Sequence, residues 1–309
     1  MGLLNVKRQS VMLAVAVLML LSWGLWTPDL PRAELESRYL MMPSDLRTVG
    51  PWRLHVRDSG PRQAPAVVLL HGFGGSLHTW DAWSLGLMTT HRVIRLDLPG
   101  SGLSPPDPDN DYTDARSLQL LLNMLDDLGV SRATLVGHSM GGRIAWTFAA
   151  QYPERTERLV LIAPDGFASE GFEYGKPPQV PAIMGLMRYV MPKFVLRMNL
   201  KSAYAQPDHL SGALTTRYHE LLLAPGARGA MLERLKQTVL QDPLPMLRQI
   251  KVPTLLFWGE ADAMIPSSNA HDYLQAVEGS RLFLSPGVGH LPHEEAADVS
   301  LKVLADFLR

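Results

Sequence analysis

The amino-acid sequence predicts an α/β domain, with a mostly parallel sheet covered by helices on both faces. Two observations predict it. Short apolar runs rich in β-branched residues are each followed by a longer amphipathic stretch, and one such junction carries Gly137-His138-Ser139-Met140-Gly141, a G-x-S-x-G pattern between strand and helix. A chain of 309 residues can bury a large core, and a hydrophobic content of 46% excludes wholesale disorder. The formal net charge of -1 removes the basic field of a dedicated nucleic-acid binder. Cysteine is absent, which excludes disulfides, Cys-ligated zinc, iron-sulfur clusters and a cysteine nucleophile.

In chain order, Lys7 and Arg8 precede an apolar stretch from Val11 to Trp26. Its 16 residues would make roughly 24 Å of helix at 1.5 Å per residue, slightly short of a bilayer span and long for a signal peptide. Trp23 and Trp26 sit where an interfacial aromatic belt would lie, and no A-x-A site follows. Residues 1–27 are therefore expected to be a membrane anchor, with a cleaved signal as the alternative and a buried N-terminal helix as a third. The rest of the chain would then lie outside the cytoplasm, on the periplasmic side in a bacterium. Residues 28–43, Pro-bearing and mixed in charge, read as a tether.

Leu46 to Val49 and Trp52 to Asp58 alternate around Gly50-Pro51 and predict an antiparallel hairpin. Buried parallel strands are expected at Ala66 to Leu70, Arg92 to Leu96, Ala133 to Val136, Leu159 to Ile162, Thr254 to Trp258 and Arg281 to Leu284. Asp114 to Leu128 carries Leu118, Leu121, Leu122 and Leu125 at helical spacing, and Arg143 to Gln151 and Val299 to Leu308 also read as helices. Between about Gly166 and Ile250 the rhythm breaks. Pro, Met and Leu abound there, which predicts a helical insertion whose methionines fill core or line a pocket.

The chemistry follows from Ser139. A serine hydroxyl is a poor nucleophile unless it is exposed on a tight turn beside a base, and Gly137 and Gly141 permit that turn. A base and an orienting acid should stand at later strand ends. Of ten histidines, His290 is favoured because it follows the last strand in the Gly-flanked run Gly287-Val288-Gly289; His293 is its rival. Asp262, after the Thr254 strand, is favoured as the acid over Asp165, which follows the Leu159 strand. Oxyanion donors would be the backbone amides of Met140 and Phe73, the latter in His71-Gly72-Phe73-Gly74-Gly75; His71 itself reads as structural. Neither Gly-rich loop completes a dinucleotide fingerprint, since Leu77 and Pro105 occupy the third glycine positions. His293-Glu294-Glu295 lacks the second histidine of a zinc motif.

Together these residues resemble the α/β-hydrolase superfamily, in the branch with a helical cap inserted after the sixth strand. The resemblance rests on His71 to Gly75, Asp97-Leu98-Pro99-Gly100-Ser101-Gly102-Leu103-Ser104, Gly137 to Gly142, Gly259-Glu260-Ala261-Asp262 with Pro266, and Gly289-His290-Leu291-Pro292-His293-Glu294. It implies the α/β-hydrolase fold: a mostly parallel eight-stranded sheet made by residues 44–165 and 251–309, a cap over 166–250, a Ser139, Asp262, His290 triad and no cofactor. It also implies that Asp97 and Ser104 hold the loop after the fourth strand. Epoxide hydrolases and haloalkane dehalogenases of this fold carry aspartate where Ser139 stands. Hydrolases that cleave carbon-carbon bonds in ring-fission products often carry Asn before the serine and a Gly-Pro-Gly oxyanion loop, where this chain has His138 and Phe73-Gly74. The expectation is a serine carboxylesterase or lipase-like enzyme acting on a small-molecule ester or lipid-like substrate. The alternatives are a carbon-carbon bond hydrolase and a catalytically silent ligand-binding protein.

Overall fold

The computed structural model describes residues 24–169 and 171–309. Among them, eight strands form one sheet: β1 (Leu46–Val49), β2 (Trp52–Ser59), β3 (Ala66–Leu70), β4 (Arg92–Leu96), β5 (Ala133–His138), β6 (Thr156–Ile162), β7 (Thr254–Gly259) and β8 (Arg281–Ser285). Their order across the sheet is β1-β2-β4-β3-β5-β6-β7-β8. The β1–β2 hairpin turns at Gly50, whose φ of 54° suits a residue without Cβ. β2 runs antiparallel to β4, and every later pairing is parallel. The strand ends differ from the sequence expectation where pairing extends them. β6 starts at Thr156 rather than Leu159 because Thr156 pairs with Ala133, and β5 runs on to His138 against Ile162.

The central strands β3 and β7 are apolar on both faces because helices cover both. In β3, Val67 and Leu69 point to one side, where Trp80, α2 (Asp81–Leu87) and the C-terminal helix pack; Val68 and Leu70 point to the other, against α3 (Asp114–Asp127) and α4 (Met140–Gln151). α3 is amphipathic and presents Leu118, Leu121 and Leu125 inward, and the Thr113 side chain caps it by accepting from the Arg116 amide at 3.3 Å. Because the strands are parallel, the loops after β3, β5, β6, β7 and β8 emerge at one edge of the sheet. Those loops hold residues 71–75, 139, 163–167, 260–266 and 286–291.

Residues 166–250 contain α5 (Lys193–Lys201), α6 (Gly212–Leu222), α7 (Ala227–Gln237) and α8 (Leu244–Leu247). After it come α9 (Asn269–Ala276), α10 (Pro292–Glu295) and α11 (Ala297–Leu308).

The N-terminal expectation requires correction. Among the described residues no helix is long and apolar enough to cross a membrane. Residues 1–23, including Trp23 and most of the stretch on which the anchor expectation leaned, lie outside the described residues. Trp26, the second of the expected belt residues, stacks on Tyr189 with ring centroids 5.6 Å apart. Nor is 28–43 an open tether. It holds a helix, α1 (Arg32–Tyr39), whose Leu35 is buried beside Leu221 and Ala224. Thr27, Leu30 and Arg228 stitch this segment to residues 189 and 223–228 by backbone and side-chain hydrogen bonds.

The loop after β4 is organised by Asp97, which is fully buried. Its Oδ1 accepts the Leu77 amide at 2.6 Å, and its Oδ2 accepts the Leu103 amide at 2.8 Å and lies 2.7 Å from His55 Nδ1. Ser104 Oγ donates to the Asp97 carbonyl at 2.7 Å and accepts the His55 amide at 2.9 Å. Burial alone would raise the carboxyl pKa, but the charge and hydrogen bond of His55 outweigh it and hold Asp97 well below the ordinary carboxylate range. A depressed folded-state pKa contributes stability above the unfolded value of about 3.9, and that contribution is lost as pH falls through the folded value. Asp97→Asn should therefore cost about 3 kcal/mol near neutrality. Urea unfolding at pH 6 and pH 3 checks it: the loss must shrink at the lower pH, and equal losses would refute the linkage.

Candidate active site

Ser139 occupies the turn between β5 and α4 with φ 52° and ψ −120°, a conformation that costs a non-glycine residue on the order of 1–3 kcal/mol. The surroundings hold it there. The Ser139 amide donates to Ile162 O at 2.9 Å, and its carbonyl accepts from the amides of Arg143 at 3.0 Å and Asp165 at 3.2 Å. The turn also demands close backbone contact. A Cβ on Gly137 would fall 2.2 Å from Gly141 O, and one on Gly141 would fall 2.4 Å from Leu70 O. Met140 begins α4, so its amide belongs to the first turn, where donors have no partner within the helix.

The loop after β3 lies directly against this turn. A Cβ on Gly72 would sit 2.7 Å from His138 Nδ1 and 3.2 Å from Ser139 Cβ. His71 fixes the loop from inside: its Nε2 accepts the Leu98 amide at 3.0 Å, so Nδ1 carries the proton and donates to Gly72 O at 2.8 Å. The Phe73 side chain is 46% exposed and lines the cavities in front of Ser139.

His290 and Asp262 meet in the same place. His290 Nδ1 donates to Asp262 Oδ2 at 2.7 Å, and the two residues are 4% and 7% exposed. Asp262 Oδ1 accepts the amides of Met264 and Ile265 at 2.8 and 2.9 Å, which aims the carboxylate at the imidazole. The His290 carbonyl accepts Nε2–H of His138 at 2.9 Å. The rival residues are engaged elsewhere. His293 stacks on Trp80 and pairs with Thr79 Oγ1 at 2.9 Å. Asp165 Oδ1 accepts Arg143 Nε at 2.8 Å, and Arg143 also pairs with Asp114.

Burial keeps the neighbouring histidines neutral. It pushes His138 well below its ordinary pKa, with His290 and His293 adding to the effect, and it lowers His293 to about 3. His71 is lowered by burial as well. Burial raises the Asp165 carboxyl against the opposing pull of Arg143.

Among the described residues, two adjoining cavities of about 290 and 250 Å³ share Phe73, Ser139, Met264 and His290. The first runs past Asp165, Phe167, Ser169, Thr238 and Asn269. The second runs under the inserted helices, past Met187, Met191, Leu196, Leu200 and Met231. Sequence reasoning named the methionines as a possible lining but missed Met264, which stands on both walls. It follows Asp262 in a loop whose direction no local pattern reveals. Sequence reasoning also gave Glu295 no role beyond an incomplete metal motif, although its carboxylate accepts the Gly289 amide at 2.7 Å, beside His290.

Residues 65–297 match the alpha/beta hydrolase fold family. The chain is 29% identical over 276 residues to a 2-hydroxy-6-oxo-6-phenylhexa-2,4-dienoate hydrolase of Burkholderia cepacia, covering 83% of this chain and 91% of that protein. Among solved structures, the enol-lactonase of Burkholderia xenovorans LB400 superposes with a TM-score of 0.72 at 25% identity, covering 85% of this chain and 98% of that one. A bacterial membrane phospholipase A superposes at 0.71 with 23% identity, covering 98% and 97% respectively, a likeness of fold.

Gly72→Ala should push the loop off the Ser139 turn, since its methyl would meet His138 rather than space. The expected result is a folded protein whose labelling by a fluorophosphonate slows at least tenfold; labelling at the native rate would show that the loop needs no such approach.

Proposed function

The chain belongs to the alpha/beta hydrolase family, and from that premise we propose that it is a serine hydrolase of carboxylic esters, working through an acyl-enzyme on Ser139. The observation that carries this reading is an imidazole bonded through Nδ1 to a buried carboxylate, on the same cavity walls as a serine held in a strained turn.

In the proposed reaction, His290 Nε2 takes the Ser139 hydroxyl proton as Oγ bonds to the ester carbonyl carbon. The carbonyl electron pair moves onto oxygen, which accepts from the amides of Met140 and Phe73. Collapse expels the alcohol oxygen, which receives the proton from His290, and leaves an acyl ester on Ser139. Water then repeats the sequence, giving up its proton to His290, which returns it to the expelled Ser139 Oγ as the acid is released. Asp262 holds the ring in the tautomer whose Nε2 can accept, and stabilises the imidazolium in between. The hydrogen bonds from Met264 and Ile265 keep the Asp262 carboxylate aimed at the ring.

Ester chemistry is favoured over carbon-carbon cleavage by the charge on the cavity walls. The relative from Burkholderia cepacia is named for a dienoate, a carboxylate-bearing substrate. Of the described residues lining the two cavities, the one Arg or Lys is Arg143, and it is already claimed by Asp114 and Asp165. On the walls of these two cavities an anionic substrate would meet no Arg or Lys free of a carboxylate, whereas a neutral ester needs none. The enol-lactonase, itself named for a cyclic ester, is at 25% identity a further support. The second reading, hydrolysis of a carbon-carbon bond in a vinylogous diketone, rests on the identity to the dienoate hydrolase over most of both chains.

Saturable turnover of 4-nitrophenyl octanoate is expected, with Ser139→Ala reducing kcat roughly 10⁴-fold or more and Asp262→Asn roughly 10⁴-fold through the wrong tautomer. Equal rates in Ser139→Ala would overturn the nucleophile. A higher kcat/KM on a ring-fission dienoate than on any ester would favour the second reading, and failure of the folded chain to take a fluorophosphonate would favour the silent one.

A further inference from the structure

The loop that carries His290 is hydrogen-bonded to the inserted segment just beyond α5. The His290 amide donates to Ala203 O at 2.8 Å. Around it, the Glu295 side chain, 1% exposed, accepts three backbone amides: Gly289 at 2.7 Å and Ala205 at 3.2 Å on Oε2, and Gln206 at 2.7 Å on Oε1. The contact is too close for any side chain at position 289, where a Cβ would fall 2.6 Å from both Ala203 O and Ala205 N. Next to it Glu294 accepts the hydroxyls of Tyr204 at 2.5 Å and Tyr218 at 3.1 Å, and Leu291 packs with Ala203, Tyr204 and Leu210.

We propose that Glu295 is a positioning residue that couples the seating of the inserted helices to the placement of His290. It touches no substrate cavity in this structure. One carboxylate joins the residue preceding the imidazole to the segment 205–206, and that segment continues from α5, whose Leu196 and Leu200 wall the second cavity. A buried carboxylate accepting several backbone amides is strongly held, because losing any donor leaves charge unsolvated. If the inserted helices lift, His290 loses the Ala203 acceptor and Glu295 loses two donors of three. The Nδ1–Asp262 alignment then rests on the loop alone. An acyl chain that packs the helices down would, by the same bonds, set the imidazole. This inference rests on the base role proposed for His290.

The groups facing Glu295 are the three amides and His209, whose Nδ1 is 4.0 Å from Oε1; Glu294, Tyr204 and Arg217 lie next to the clamp. The experiment compares the full chain with Glu295→Gln and Glu295→Ala by ester kinetics across pH and by amide hydrogen exchange. In Glu295→Ala, kcat should fall tenfold or more with a smaller change in KM. The acidic limb of kcat/KM should move to lower pH, because a poorly aligned Asp262 stabilises the imidazolium less. Glu295→Gln, which keeps one acceptor oxygen, should lie between and decides the matter if the alanine variant does not fold. Exchange should speed in peptides covering 203–206 and 287–291 together. A variant of lowered melting temperature that keeps its kcat and acidic limb, or one whose exchange rises in only one of the two segments, would overturn the coupling. A native chain that hydrolyses no ester and takes no fluorophosphonate would instead sink the hydrolase reading, with the paired exchange still deciding the clamp.

Discussion

The site depends on how closely three stretches of backbone approach one another around residue 139. β5, the start of α4 and the loop after β3 come together at distances that admit no Cβ at Gly72, Gly137 or Gly141. That approach forces Ser139 into positive φ, and the amides and carbonyls of Ile162, Arg143 and Asp165 satisfy its backbone there. The strain is local and is offset by the packing of the central sheet, where Val67 to Leu70 are fully excluded from solvent on both faces. A looser turn would withdraw the hydroxyl from the cavity and take the Met140 amide out of register with the Phe73 loop.

Around this turn the protein has arranged one aligned imidazole among several neutral ones. His71, His138 and His293 are desolvated and kept uncharged, so each can serve as a fixed donor or acceptor without adding repulsive charge beside His290. His71 braces the loop after β3, His138 supports the His290 carbonyl, and His293 packs between Trp80 and Thr79. A carboxylate then meets the ring at Nδ1, with its second oxygen tied to two amides. Rigid dipoles of this kind need little rearrangement as charge develops, which is where catalysis by such sites gains most.

Much of the sheet was readable because its strands are short, apolar on both faces and rich in Val, Ile and Leu, as central parallel strands must be. The errors in their ends came from pairing: Thr156 and His138 join strands because a neighbour offers hydrogen bonds, a fact absent from the local sequence. Ser139, His290 and Asp262 were singled out by their position after strands in Gly-bearing loops. Their rivals could be ranked only weakly, since nothing in the sequence reveals that Arg143 and Asp114 occupy Asp165 or that Thr79 and Trp80 occupy His293. The N-terminal reading went furthest astray. An apolar run followed by Trp26 looks alike whether the aromatic faces lipid or stacks on a distant ring such as Tyr189, and hydropathy cannot choose between them.

By itself the sequence determined the alternation of strand and helix and the strand-to-helix junction at Ser139, and it narrowed the candidate acid and base to the loops after later strands. These are encoded by side-chain periodicity and by glycine, which act over a few residues. Only the tertiary structure decided which carboxylate meets which imidazole, where the cavities run, and that residues 27–39 and 203–206 bind to distant parts of the chain. Those outcomes depend on pairs of groups separated by tens to hundreds of residues, whose energies exist only once the fold has brought them within hydrogen-bonding distance.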